Sequence, residues 1–255
     1  MPDPRVLSAQ SILPLEISGV SFAAGGKTLI KDLNCTLTKG PRTVIIGPNG
    51  AGKSLFLRLC HGLIEPVTGT VRWQGSGNGD IAFKQAMVFQ RPIMLRRSVA
   101  ANIDYALSLR KIPRRERREI IDETLGRTGL RRMAASPARV LSFGEQQKLA
   151  LARAWALKPE VLFLDEPTAS LDPAATHGVE EIIGAIHQAG TKIIMTTHDL
   201  GQARRTADEI IFIHRGRIAE HAPADAFFAG PKDELAQAFI RGELLWWYPK
   251  QATTD

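Results

Sequence analysis

Apolar and polar positions alternate twice near the start of the chain, in residues 15–22 (LEISGVSF) and 33–38 (LNCTLT), and this period of two predicts half-buried strands. A short continuous apolar run, residues 43–47 (TVIIG), predicts a buried strand that ends in a glycine-rich loop. The period then changes: residues 53–63 (KSLFLRLCHGL) place Leu55, Leu59 and Leu63 on one face of a helix. Residues 69–73 (GTVRW) and 86–90 (AMVFQ) read as two more strands, and from about Ser98 to Arg132 the spacing is helical, broken at Pro113. Ser142 with Glu145 three residues on predicts a capping box, and the Ala/Leu-rich run to Trp155 supplies its helix.

Residues 161–164 (VLFL) and 192–197 (KIIMTT) are continuous apolar or β-branched runs, the pattern of strands buried on both faces of a parallel sheet. The helical segment 174–188 lies between them at βαβ spacing. Residues 209–221 predict a hairpin turning at Arg215-Gly216, followed by short helices to Leu245. The shape implied is one α/β core with antiparallel strands at its front and a helical insertion from about Gln90 to Leu157.

Composition adds little to that picture except in one place. A 44% hydrophobic content over 255 residues is ordinary for a globular protein with a sizeable core. The start, MPDPRVLSAQSILPLE, carries an acidic residue and prolines without a sustained apolar stretch, so it does not read as a signal peptide. Nor does any segment approach the roughly 18 apolar residues of a membrane span. The expectation is a cytoplasmic protein that reaches the inner face of the membrane only through partners. Cys35 and Cys60 stand far apart without CxxC spacing, which argues against a zinc site and for two small buried hydrophobes. The net charge of +7 is uneven, because residues 110–132 hold nine Lys/Arg against four Asp/Glu. That segment reads as a solvated helical face, with an anionic membrane surface or nucleic acid as the alternatives.

The chemistry concentrates in a few stretches. Residues 47–54 (GPNGAGKS: Gly47, Pro48, Asn49, Gly50, Ala51, Gly52, Lys53, Ser54) match G-x-x-x-x-G-K-[ST] in full, between a predicted strand and a predicted helix. Backbone N–H groups there would face phosphates, Lys53 would reach the β/γ oxygens and Ser54 would offer its hydroxyl to Mg²⁺. Asp165 ends an apolar strand at the edge where open α/β sheets bind ligands, and can hold Mg²⁺. Glu166 beside it is placed to orient and deprotonate a water. His198, after the strand 192–197, reads as an ordinary polar residue unless a charged group such as a γ-phosphate lies in reach. Gln90 either satisfies loop backbone or ligates Mg²⁺ or the lytic water.

In their order these segments resemble the nucleotide-binding subunit of ATP-binding cassette (ABC) transporters, over nearly the whole chain. The phosphate loop matches residues 47–54, the glutamine loop Gln90, the signature residues 141–145 (LSFGE), the Asp-Glu strand 161–166, the D-loop Ser170 to Asp172 (SLD) and the switch histidine His198. The resemblance implies a P-loop NTPase core with a mixed/parallel sheet, an N-terminal antiparallel β subdomain and an inserted α-helical subdomain. It implies a cassette domain at 14–247, with the helical subdomain at about 91–157 and flexible termini at 1–13 and 248–255. It implies ATP and Mg²⁺, and a head-to-tail homodimer in which Ser142, Phe143, Gly144 and Glu145 of one cassette complete the ATP site of the other. Since a hydroxyl has one donor and two acceptor sites, Ser142 is expected to cap its helix and still donate to that phosphate.

Two departures from the family pattern stand out. The aromatic residue that usually stacks on adenine falls on Ala24, leaving Phe22 as the candidate substitute, and the first signature glycine is Phe143. The implied role is the ATPase of a bacterial importer, working with two integral-membrane permease subunits and a periplasmic or lipid-anchored solute-binding protein. Met94, Leu95, Arg96 and Arg97 fall in the segment the family turns toward the permease. Residues 91–103 and 196–216 look most like importers of inorganic oxyanions, tungstate in particular. The rival is a non-transport ABC ATPase acting on nucleic acid or ribosomes. The 89 positions from Lys53 to Ser142 leave no room for a long coiled coil and there is one cassette, so no nucleic acid is expected. A P-loop kinase, the third class, has no use for the signature.

Overall fold

The computed structural model describes residues 11–75 and 81–243. The strands are β1 (Leu15–Ala24), β2 (Lys27–Leu37), β3 (Thr43–Ile46), β4 (Thr68–Trp73), β5 (Gln85–Val88), β6 (Val161–Asp165), β7 (Lys192–Thr196), β8 (Glu209–His214) and β9 (Arg217–Pro223). The helices are α1 (Lys53–His61), α2 (Ile81–Lys84), α3 (Val99–Leu109), α4 (Arg114–Arg127), α5 (Phe143–Ala156), α6 (Pro173–Gln188), α7 (Leu200–Thr206), α8 (Ala224–Ala229) and α9 (Glu234–Ile240). No helix among the described residues is long and apolar enough to cross a membrane. The chain forms two compact units, one of residues 1–16, 36–42 and 72–195, the other of 17–35, 43–71 and 196–255.

In the first unit β5, β6 and β7 are neighbours in that order, with β5 and β6 parallel and Ala86 opposite Leu162. Every residue of β6 and β7 is buried, which is why these segments read as unbroken apolar runs. Helix α5 packs on α3, α4, α6 and β5, burying Leu149, Leu151 and Trp155. Ser98 caps α3, accepting the Ala101 N–H at 3.2 Å. The helix stops where Lys111 turns left-handed (φ 55°), and Pro113 opens α4. Residues 11–13, placed outside the domain by a boundary at 14, carry two buried side chains, Ile12 and Leu13. The Ile12 N–H donates to the Glu160 carboxylate at 2.9 and 3.0 Å.

The second unit holds the sheet β2-β1-β4, its first two strands joined through Gly25-Gly26. It also holds β3, β8 and β9, with β3 and β8 parallel and β8 and β9 antiparallel, so the sheet is mixed. The expected hairpin turns at Arg215 (φ 48°) and Gly216 (φ 77°), the two positive φ values of a type I′ connection. A Cβ on Gly216 would lie 2.1 Å from the Leu29 carbonyl oxygen, and its N–H donates to Ala51 O at 2.9 Å, so the turn seats on both β2 and the glycine-rich loop. Helix α1 buries Phe56, Leu57, Leu59 and Cys60 rather than the expected Leu55, Leu59 and Leu63 face. The helix ends at Gly62 (φ 81°), and Leu63 beyond it is 49% exposed. Helices α8 and α9 cover β8 with Phe227 and Phe239, whose ring centroids lie 6.4 and 5.2 Å from that of Phe212.

Candidate functional site

The second unit shapes residues 47–54 into a cradle of backbone. Gly47, Gly50 and Gly52 all have positive φ (149°, 78° and 107°). Two of them also have no room for a side chain: a Cβ would stand 2.1 Å from Ile213 O at Gly47 and 2.7 Å from Ile30 Cδ1 at Gly52. Gly52 is the N-cap of α1 and no side chain caps that helix, while its first turn carries no acidic residue. The start of α1, without a side-chain cap or an acidic residue, leaves the positive end of the helix dipole at this loop, a geometry suited to an anion. Lys53, only 6% exposed, holds its ammonium in the loop by donating to Gly47 O at 2.8 Å and Pro48 O at 3.3 Å. Thr197, just after β7, donates its N–H to Ile45 O at 3.1 Å, which sets His198 exposed in the same unit as this loop.

The first unit places the acidic pair. Asp165 closes β6 and is 4% exposed; Glu166 follows with its backbone left-handed at φ 45°. A glutamate in that region is strained, and the turn Ala169 N–H to Glu166 O at 3.2 Å holds it there. The strain re-aims the carboxylate, and Gln90 Nε2 donates to Glu166 Oε2 at 3.4 Å, a long contact that nonetheless brings the glutamine loop and the acidic pair together.

The capping box is present in full. The Ser142 N–H donates to Glu145 Oε2 at 2.7 Å and the Glu145 N–H donates to Ser142 Oγ at 3.3 Å. The Ser142 hydroxyl also donates to Glu145 Oε2 at 2.8 Å. Gly144 is small because α5 passes close to α6: a Cβ there would lie 3.0 Å from Ala175 Cβ and 3.7 Å from Leu171 Cδ2. Phe143 is 36% exposed beside Val140 at 72%, an apolar rim on the signature.

Ser170 is exposed with φ 67°, and Asp172 caps α6 by accepting the Ala175 N–H at 2.9 Å. Phe22 is half-buried on β1 and Ala24, its last residue, is exposed. Asp199, which the motif reading passed over, accepts the Gln202 N–H at 3.0 Å and so starts α7 directly after His198. The aspartate followed three residues later by glutamine is a readable cap signal. Gln147 was also passed over: it is fully buried on α5, and both polar atoms of its amide lack partners among the described residues.

The sequence pattern of the ABC transporter family matches residues 30–169, more than half of the chain, including the glycine-rich loop, Gln90, the signature and the Asp165-Glu166 pair. The chain belongs to the ABC transporter family. It is 36% identical over 249 residues to the phosphate import ATP-binding protein PstB 2 of Natronomonas pharaonis, covering 91% of this chain and 88% of that one. The tungstate uptake system ATP-binding protein TupC of Peptoclostridium acidaminophilum is 38% identical over 217 residues, covering 85% of this chain and all of that one (100%). The glutamine transport ATP-binding protein GlnQ of Geobacillus stearothermophilus is 35% identical over 221 residues, covering 83% and 91%. Among solved structures, CbiO1 from Clostridium perfringens, part of the ABC transporter complex CbiONQ, superposes with a TM-score of 0.77 at 26% identity, covering 89% of this chain and 94% of that one. As an ABC ATP-binding domain the chain is an ATPase of mixed α/β fold.

Proposed function

We propose that the chain, as one cassette from 14 to 247 with its helical insert at about 91–157, powers an importer of an inorganic oxyanion. Two features, each internal to its own unit, support the ATPase chemistry: the backbone cradle of residues 47–54 around Lys53 in the second unit, and in the first the strained Glu166 beside Gln90 and Asp165. Gly47 to Ser54 hold the β- and γ-phosphates through N–H groups, and Lys53 turns from its loop carbonyls to the phosphate oxygens. Phe22 takes the face of the adenine. Ser54, Asp165 and Gln90 are the hard oxygen donors suited to Mg²⁺, which supplies charge neutralisation at the β/γ oxygens when bound. Glu166 orients and deprotonates the water whose oxygen bonds to the γ-phosphorus as the bridging P–O bond breaks. His198 steadies the γ-phosphate.

Two cassettes act head to tail. Ser142 to Glu145 of each approach the nucleotide held by the other, with the Ser170 to Asp172 turns alongside. The permease subunits meet the first unit at a groove of about 460 Å³ between β5, α3 and α5, lined by Met87, Val88, Ile93, Leu95, Tyr105 and Leu109. Met94, expected on that surface, is buried at 6% exposure, and its neighbour Ile93 at 79% takes the outward place. The protein therefore works on the inner face of the membrane, and a solute-binding protein delivers the cargo from outside.

The oxyanion assignment is supported by TupC and PstB 2 standing among the relatives at 38% and 36% identity. GlnQ at 35% is the support for the second reading, an amino-acid importer. Uptake of tungstate, phosphate and glutamine in cells carrying wild type or Glu166→Gln separates them. Tungstate or phosphate uptake that collapses with the variant is the expected result, and dependence of glutamine uptake alone overturns the assignment.

A further inference from the structure

The corner between α3 and α4 breaks local rules in a consistent direction. Helix α4 opens with Arg114, Arg115 and, within two turns, Arg118, all exposed, although a helix N-terminus repels cations. Arg114 and Arg118 are one turn apart with like charge, a pairing that weakens a helix. Neighbouring arginines are neutralised: Arg117 pairs with Asp104 at 3.1 Å, Arg127 with Glu123 and Arg131 with Asp122 at 3.0 Å. Arg114, Arg115, Arg118 and the exposed Lys111 have no such partner among the described residues. Lys111 is held outward by its left-handed backbone, with the Ile112 N–H donating back to Leu107 O at 3.3 Å.

Aliphatic surface accompanies this charge. Leu109, the last residue of α3, is 64% exposed. The nearby rings are part-exposed, Phe83 at 46% and Tyr105 at 37%, each with a guanidinium group over one face: Arg110 lies 4.7 Å from the Phe83 centroid and Arg97 5.0 Å from that of Tyr105. A single-stranded nucleic acid is held by bases stacking on open aromatic faces, and a duplex by phosphate contacts that gain nothing from an exposed leucine. Cations without ion-pair partners around one exposed aliphatic residue match a headgroup layer in which phosphates meet Lys/Arg and a leucine enters the acyl boundary. We propose that Lys111, Arg114, Arg115 and Arg118, with Leu109, form a contact site for anionic phospholipid, by which the cassette touches the bilayer directly and not only through a permease. The site adjoins the groove lined by Leu109 and Tyr105, so both contacts fall on one side of the first unit.

The test is co-sedimentation of the full chain, without permease, with vesicles of phosphatidylcholine alone or with a quarter phosphatidylglycerol. Binding is expected to the anionic vesicles only and to fade with added salt, as the Debye length falls from about 10 Å at 0.1 M to about 3 Å at 1 M. The triple variant Arg114→Glu, Arg115→Glu, Arg118→Glu should lose at least about 10²-fold in partitioning, from about fivefold per charge. The reversals also leave positions 115 and 119, and 118 and 122, like-charged one turn apart, so the neutral variant Arg114→Gln, Arg115→Gln, Arg118→Gln serves as the folding control: it should melt near wild type and still lose about 10²-fold in partitioning. Leu109→Ser should lose part of the binding. ATP hydrolysis in solution should be unchanged in all of them, so a failure here leaves the ATPase reading untouched. Equal binding to neutral vesicles, unaltered binding by the triple variant, or binding of an RNA oligonucleotide in place of anionic vesicles would overturn the proposal.

Discussion

Ser142 gives its hydroxyl proton to the Glu145 carboxylate at 2.8 Å while accepting the Glu145 N–H at 3.3 Å, so one side chain occupies both functions of the hydroxyl. In the proposed head-to-tail dimer, a phosphate held by the other cassette draws that proton away from Glu145 or is met by the backbone N–H groups that open α5. Ser142→Arg is expected to leave ATP affinity of the monomer near wild type, since the cradle at 47–54 is intact, and to abolish the ATP-dependent dimer that Glu166→Gln accumulates. Ser142→Ala should lower stability by about 1 kcal/mol through loss of the cap. Light scattering beside a thermal melt reads both. A dimer that persists in Ser142→Arg at a lowered melting temperature reduces Ser142 to a helix cap.

The strained Glu166 backbone and its contact with Gln90 set the second expectation. Glu166→Gln preserves size and the left-handed turn but removes the base, so nucleotide should bind as before while hydrolysis falls at least about 10²-fold. Lys53→Ala should weaken binding itself, because the ammonium caged by Gly47 O and Pro48 O is the positive charge of the cradle. Nucleotide titration and steady-state phosphate release distinguish the two; normal affinity in Lys53→Ala would remove Lys53 from the site.

What the sequence exposed and what it hid follow from range. The phosphate loop, the Asp165-Glu166 pair, the Ser142 capping box and the Arg215-Gly216 turn are local: each needs particular residue types a few positions apart, and each is in place. Helix α2 is one turn of four residues, too short to show a period, and it was not anticipated. The α1 face was misread because Leu63 keeps the helical spacing past the Gly62 stop. Met94 turns inward and Ile93 outward, and a segment without secondary structure has no period from which to read that. Nor does the sequence show why position 144 needs glycine, because Ala175 is 31 residues away and approaches only in three dimensions.

Ala24 ends β1 exposed, where the family usually carries a stacking ring, and Phe22 is half-buried two residues earlier. Stacking of a base on an aromatic ring is worth roughly 1–3 kcal/mol and is tolerant of base identity, so a site that holds the base by Phe22 alone should discriminate poorly between ATP and GTP. Measured affinities for both nucleotides should differ little in wild type, and Ala24→Tyr should tighten both. If Phe22→Ala leaves binding unchanged while wild type binds tightly, the base rests on neither residue.

Both thiols lie in the second unit, Cys60 buried as expected and Cys35 only half-buried. Burial of Cys35, reinforced by the nearby Glu209 carboxylate, raises its pKa from 9.0 to about 12, and burial pushes the Cys60 thiol well up, helped by Cys35. The neutral form is favoured on folding, so this contribution to stability is complete below the unfolded-state pKa of 9.0 and is lost as pH rises toward about 12. Since the thiolate is the reactive species, neither cysteine should react with a disulfide reagent at pH 8 in the folded protein, and both should react at once in denaturant. The urea midpoint should fall between pH 8 and pH 10, and a Cys35→Ser, Cys60→Ala variant should show a smaller fall. Rapid labelling of folded wild type at pH 8, or an identical pH dependence in the variant, would show that the burial around β2 and α1 does not hold in solution.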